Sequence, residues 1–178
     1  MYLSNRFFGK TVLMLLRVLL PLLFLTIGGC YSFKGISIDP EVNTFFVRNF
    51  ETLATNAPPT VGLDFGERLK DKVRSETRLK LQTDNADVEF TGKITDYRVI
   101  PVAPKPGEQI SLNRLEVRMR IGFINNKDEK KSWTSEREFS HFAEFSNSID
   151  LLTVQDQLVR QIGDQLLEDI FNAAFNDW

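Results

Sequence analysis

The sequence predicts an α+β fold, a two-layer sandwich in the order β-α-β-β-β-α, with two helices packed on one face of a four-stranded mixed sheet. Three observations lead there. Two segments carry apolar residues at helical spacing, each with a single stripe. Between and before them, aromatic and β-branched residues alternate with polar ones. The last three strands are separated by turns or loops and contain no intervening helix signal, so they pair antiparallel.

Asn43-Thr-Phe-Phe-Val-Arg-Asn-Phe50 is rich in aromatic and β-branched residues and reads as the first strand. Residues 54–60 (ATNAPPT) form a loop, and Thr60 is placed to cap a helix running to about Arg78. On that helix Val61, Phe65, Leu69 and Val73 recur every four residues. Val88, Phe90 and Ile94 then alternate with polar residues until the phase slips near Asp96-Tyr97, as a β-bulge would make it. The three prolines of PVAPKPGEQ (101–109) predict an exposed connection.

A third strand places Leu115, Val117, Met119, Ile121 and Phe123 on one side and Arg114, Glu116, Arg118 and Arg120 on the other. After a polar turn at 125–129, Trp133, Phe139, Ala143 and Phe145 predict a fourth strand. Leu151, Val154, Leu158, Ile162, Leu166 and Ile170 form the second helical stripe, with Asp150 or Ser148 as the cap. One stripe per helix puts both helices on the same sheet face. The helical crossover after the first strand makes that strand parallel to its sheet neighbour.

The N-terminus follows different chemistry. Residues 1–29 read as an export signal: MYLSNRFFGK is basic, TVLMLLRVLLPLLFLTI is apolar, and two small residues follow. Arg17 leaves only the ten residues Val18 to Ile27 uninterrupted, with Pro21 among them, which is too short for a membrane span. Ile27-Gly28-Gly29-Cys30 resembles the lipobox of bacterial lipoproteins. Lipidation of Cys30 by a diacylglyceryl group and an N-acyl chain, commonly palmitate, is therefore expected. Each buried methylene contributes about 0.8 kcal/mol to anchoring, so two or three chains give a stable attachment. Residues 30–40 are the expected tether and 41–178 the folded domain; the expected location is the periplasmic side of the outer membrane.

Composition excludes several functions. The first thirty residues hold three of the 22 basic residues and none of the 24 acidic ones, so the remainder carries 19 basic and 24 acidic residues, a formal charge of −5. An acidic domain without a basic run is unsuited to nucleic acid. One cysteine and one histidine exclude an internal disulfide, an iron–sulfur cluster and the usual zinc sites, and no cofactor is expected. His141 is the only histidine available as a catalytic base, and it falls on the apolar phase of the fourth strand. No Gly-x-Ser-x-Gly elbow, P-loop or dinucleotide fingerprint occurs.

The functional residues are therefore sought on surfaces. Arg114, Arg118 and Arg120 share one face of the third strand, and Lys93 and Arg98 lie on its expected neighbour. Together they form a candidate cationic site for a phosphorylated lipid, because guanidinium groups bind phosphate bidentately. The competing expectation is that Glu89 and Glu116 pair with these arginines across the strands. Phe46, Phe50, Phe142 and Trp178 are candidate partner-facing aromatics; alternatively, aromatics such as Phe171 and Phe175 at the end of the second helix close the core.

Several motifs resemble the LPS-assembly lipoprotein family, LptE: Cys30-Tyr-Ser-Phe-Lys-Gly, the first strand Asn43 to Phe50, Phe65-Gly-Glu-Arg-Leu69, Asp87-Val-Glu-Phe-Thr-Gly-Lys-Ile-Thr-Asp-Tyr97, and the closing Asp169-Ile-Phe-Asn-Ala-Ala-Phe-Asn-Asp-Trp178. The resemblance implies a similar sandwich, a place as a plug in the LPS translocon barrel LptD, assistance in that barrel's assembly, and contact with lipopolysaccharide on its way to the cell surface. It assigns no basic residue to the ligand. Two other roles remain open at this point: an adaptor for another envelope machine, serving barrel insertion or polysaccharide export, and an envelope hydrolase using His141.

Overall fold

The computed structural model describes residues 38–103 and 111–176. The chain divides into two units, Met1–Gly35 and Ile36–Trp178, and all described residues belong to the second. The export signal, Cys30 and Trp178 lie outside them.

The element order is β1 (Thr44–Val47), β2 (Glu51–Thr52), α1 (Val61–Glu76), β3 (Lys80–Leu81), β4 (Val88–Val102), β5 (Leu112–Asn125), a 3₁₀ turn (Glu129–Lys131), β6 (Arg137–Ser146) and α2 (Leu151–Phe175). The sheet runs β3-β1-β4-β5-β6, with β2 pairing on β4 beside β1. β1 is parallel to β4, with Phe45 opposite Val88, whereas β4, β5 and β6 form an antiparallel meander. The α+β order of the sequence reading is thus observed. Two two-residue strands, β2 and β3, widen the expected four-stranded sheet to six.

The expected first strand breaks after Val47, and Phe50 is the cause. Its ring fills the space above Gly92, where an added Cβ would come within 2.6 Å of it. To reach that socket the chain leaves the β1 line and resumes pairing as β2, with Glu51 opposite Lys93. Gly62 of α1 closes over the same turn, its would-be Cβ lying 2.6 Å from the Phe50 carbonyl oxygen. Glycine is needed at both places for close approach.

Thr60 occupies the expected N-cap position of α1, but its side chain makes no capping hydrogen bond. Thr52 Oγ1 accepts from Gly62 N at 3.2 Å instead, so β2 supplies the cap. Asp150 caps α2 as expected, accepting from Leu152 N at 2.8 Å. The register of β4 on β5 shifts between Ile94 and Asp96, leaving Thr95 as the extra residue and returning Tyr97 to the buried side. β4 continues through Pro101 and Val102, farther than the prolines suggested. Its parallel pairing ends at Ile94, so a missing donor at Pro101 faces no neighbour on that side. β6 begins at Arg137, later than expected; Trp133 precedes it and donates its backbone N–H to Phe123 O at 3.0 Å.

One core lies between the sheet and both helices. Phe90 and Phe123 pack with their rings tilted by 51° and 4.9 Å between ring centres, and Phe175 meets them edge-on at 5.9 and 6.1 Å. Phe171 and Phe175 therefore close the core, each such burial contributing about 1.5–3 kcal/mol. No described helix is long and apolar enough to cross a membrane.

Candidate functional site

Among the described residues, the helices cover one face of the sheet and leave the other open. Along β5 the covered side carries Leu115, Val117, Met119, Ile121 and Phe123, all buried. Arg114, Glu116, Arg118 and Arg120 take the open side by strict alternation. The bulge at Thr95 keeps this pattern in phase across strands: Lys93 sits opposite Arg120, Asp96 opposite Arg118, and Arg98 opposite Glu116. All five candidate cations therefore share one face.

Each is paired. Arg114 meets Glu144 at 2.6 Å, Arg118 meets Glu116 at 2.9 Å and Glu138 at 3.3 Å, and Arg120 reaches Glu138 at 3.6 Å. Lys93 holds Glu136 at 2.8 Å, and Arg98 bridges Glu116 at 3.0 Å and Asp96 at 3.2 Å. The face is thus a lattice in which these cations alternate with carboxylates, which is the paired alternative of the sequence reading and not a bare patch of positive charge. Glu116 was an expected partner; Glu89 was another, but it instead accepts from Asn126 Nδ2 at 3.1 Å. The carboxylates of Glu136, Glu138 and Glu144 come from β6 and its approach, and only the β5–β6 register reveals them.

The pairing has electrostatic consequences. The Arg118 hydrogen bond, helped by Arg98, holds the Glu116 carboxyl below the usual carboxylate range. Reciprocally, Glu116 and Glu138 raise Arg118, and Glu136 raises Lys93. The cations remain accessible, with side chains from 35% exposed for Arg114 and Arg118 to 56% for Arg120. Exposed pairs of this kind contribute about 0–1 kcal/mol each, so a competing anion displaces a carboxylate at little cost.

The candidate aromatics separate. Phe142 lies on the open side of β6, half exposed, with the Arg114 guanidinium 3.9 Å from its ring centre. Phe46 is half-buried on β1, with Arg48 at 6.0 Å. Phe50 is buried at 6% exposure, so it is a core residue and not a partner-facing one.

His141 faces the helix side of β6, where its Nε2 lies 2.7 Å from Asp169 Oδ2 of α2. The pair ties the last strand to the last helix. No hydroxyl or thiol among the described residues hydrogen-bonds that ring, so no nucleophile is assembled beside it. Among the described residues, no group of three or more His, Cys, Asp or Glu side chains could hold a metal.

A sheet domain with one face packed by helices and the other presented to solvent as an ordered polar lattice defines a two-layer α+β domain with a surface suited to binding. The lipopolysaccharide-assembly family, LptE, matches residues 42–174, and the chain belongs to that family. Similar solved structures include a minor lipoprotein from Acinetobacter baumannii (13% identity, 72% of this chain and 90% of that one, TM-score 0.46). Others are the hypothetical protein CT253 from Chlamydia trachomatis (7% identity, 75% and 98%, TM-score 0.49) and protein XCC0632 from Xanthomonas campestris (10% identity, 77% and 91%, TM-score 0.48). Comparison with curated protein sequences finds no match.

Proposed function

We propose that this LPS-assembly protein is anchored to the outer membrane through acyl chains on Cys30, plugs and assists assembly of the LPS-exporting barrel LptD, and contacts lipopolysaccharide during transport. The family match across residues 42–174 carries this reading. The Ile27-Gly28-Gly29-Cys30 sequence supports the anchor. A domain with a polar, charge-balanced face suits the polar lumen of a large barrel, and an acyl tether raises its effective concentration there. The role is binding and assembly, not catalysis.

The lipid contacts are assigned to Arg114, Arg118, Arg120, Lys93 and Arg98, whose guanidinium and ammonium groups exchange carboxylates for LPS phosphates. Phe46 and Phe142 are assigned to the partner surface. Replacing Arg114, Arg118 and Arg120 together with Gln should lower LPS retention by the purified lipoprotein while its circular dichroism is unchanged. Undiminished retention by the folded variant would reduce these arginines to partners of their own glutamates. Mass spectrometry of the protein extracted from membranes should find a diacylglyceryl thioether and an N-acyl chain on Cys30, both absent from Cys30→Ala; an unmodified Cys30 in the wild type would remove the anchor from the account.

A further inference from the structure

β6 is a ten-residue edge strand. It pairs with β5 in unbroken register, from Leu112 opposite Ser146 to Ile121 opposite Arg137. No proline or bulge interrupts it, and among the described residues no strand meets its other side. Edges of this length are ordinarily blunted, since their unpaired N–H and C=O groups recruit another strand.

We infer that the β6 edge pairs antiparallel with the β6 edge of a second copy of this chain, about a two-fold axis at Phe142. The sequence of the strand selects this occupant and register. About Phe142, the open side sets Phe142 against its own counterpart, Ser140 against Glu144, and Glu138 against Ser146. The helix side sets Phe139 against Phe145 and His141 against Ala143. No like charges meet, and aromatic pairs, which stabilise cross-strand contacts, fall on both sides. Moving the axis to His141 sets Glu138 against Glu144 twice, moving it to Ser140 sets Glu138 against Phe142, and moving it the other way to Ala143 sets Glu144 against Phe142. The two glutamates thus disfavour the neighbouring registers and leave one.

Phe142 is prepared for such a contact. It is half exposed, and Arg114, itself held by Glu144, lies over its ring. An ordered aromatic group loses little conformational freedom on pairing. The interface is isologous, so each contact occurs twice. Strand pairing alone buries less than a standard interface, which places the dimer in the weak, concentration-dependent class. Phe142 cannot meet a barrel and a second copy at once, so the dimer is a state of the lipoprotein outside the barrel, and its test needs no barrel present.

Sedimentation of the full lipoprotein in detergent tests it. The wild type should shift from monomer to dimer as concentration rises to about 100 μM, and Phe142→Lys should weaken the association by about tenfold or more. A wild type that stays monomeric, or a dimer indifferent to a folded Phe142→Lys, overturns the proposal. Should Phe142→Lys fail to fold, paired cysteines report the register. Under mild oxidation Ser140→Cys/Glu144→Cys should give a disulfide-linked dimer above the wild-type background, and Glu138→Cys/Glu144→Cys should not. Cross-linking only in the second pair overturns the register.

Discussion

At the residue scale, Phe50 and Gly92 act as one unit. The Phe50 ring occupies the space that a Gly92 side chain would need. Phe50→Ala should cost about 3–5 kcal/mol, and Gly92→Ala, which forces the ring aside, about 1–3 kcal/mol. Because the clash disappears with the ring, Gly92→Ala should cost less in the Phe50→Ala background; urea denaturation of the double-mutant cycle measures the difference, and strict additivity would contradict the socket. Glu116 sets a pH dependence at the same scale. Its carboxyl is held below its ordinary value by Arg118, and that of Glu168 by its hydrogen bond with Lys72. As pH falls below the ordinary carboxylate range near about 4.3, the unfolded chain takes up protons that these folded groups still refuse. Stability contributed by both is therefore complete above that range and lost as pH falls through their lower folded values. Glu116→Gln should flatten the acid limb of the denaturation midpoint; an unchanged limb would mean the pair adds nothing to the fold.

At the scale of elements, α1 depends on a cap from outside its own segment. Thr52→Val removes the oxygen that accepts from Gly62 N and should cost about 0.5–2 kcal/mol. Thr60→Ala, at the formal cap position but without a side-chain cap bond, should cost less; thermal melts of the two variants that rank them in the opposite order would contradict the assignment. This exchange of roles marks where sequence reasoning stops. Helices with one apolar stripe, and strands with period two, are legible because burial writes their pattern locally. The bulge in β4 was legible for that reason, since the extra Thr95 shifts the alternation. The break after Val47 was not, because Phe50 leaves the strand line to fill a gap at Gly92, far along the chain. β2 and β3, at two residues each, are too short to carry a period.

Across the whole molecule, the open sheet face was legible as a set of cations and illegible as a lattice. Arg114, Arg118 and Arg120 announce one side of β5 by alternation, but their partners Glu138 and Glu144 become visible only through the register of β6. Of the two expectations for these arginines, the paired one is observed, with Glu116 as an anticipated partner and Glu138 and Glu144 as unanticipated ones. A balanced face suits contact with a polar partner. The central claim is partnership with the LPS-exporting barrel. Affinity purification of the tagged lipoprotein from solubilised outer membranes measures it most directly. The account predicts recovery of one large β-barrel protein in near-equal amount, carrying lipopolysaccharide; recovery of the lipoprotein without a barrel, or with the components of a different envelope machine, would contradict it.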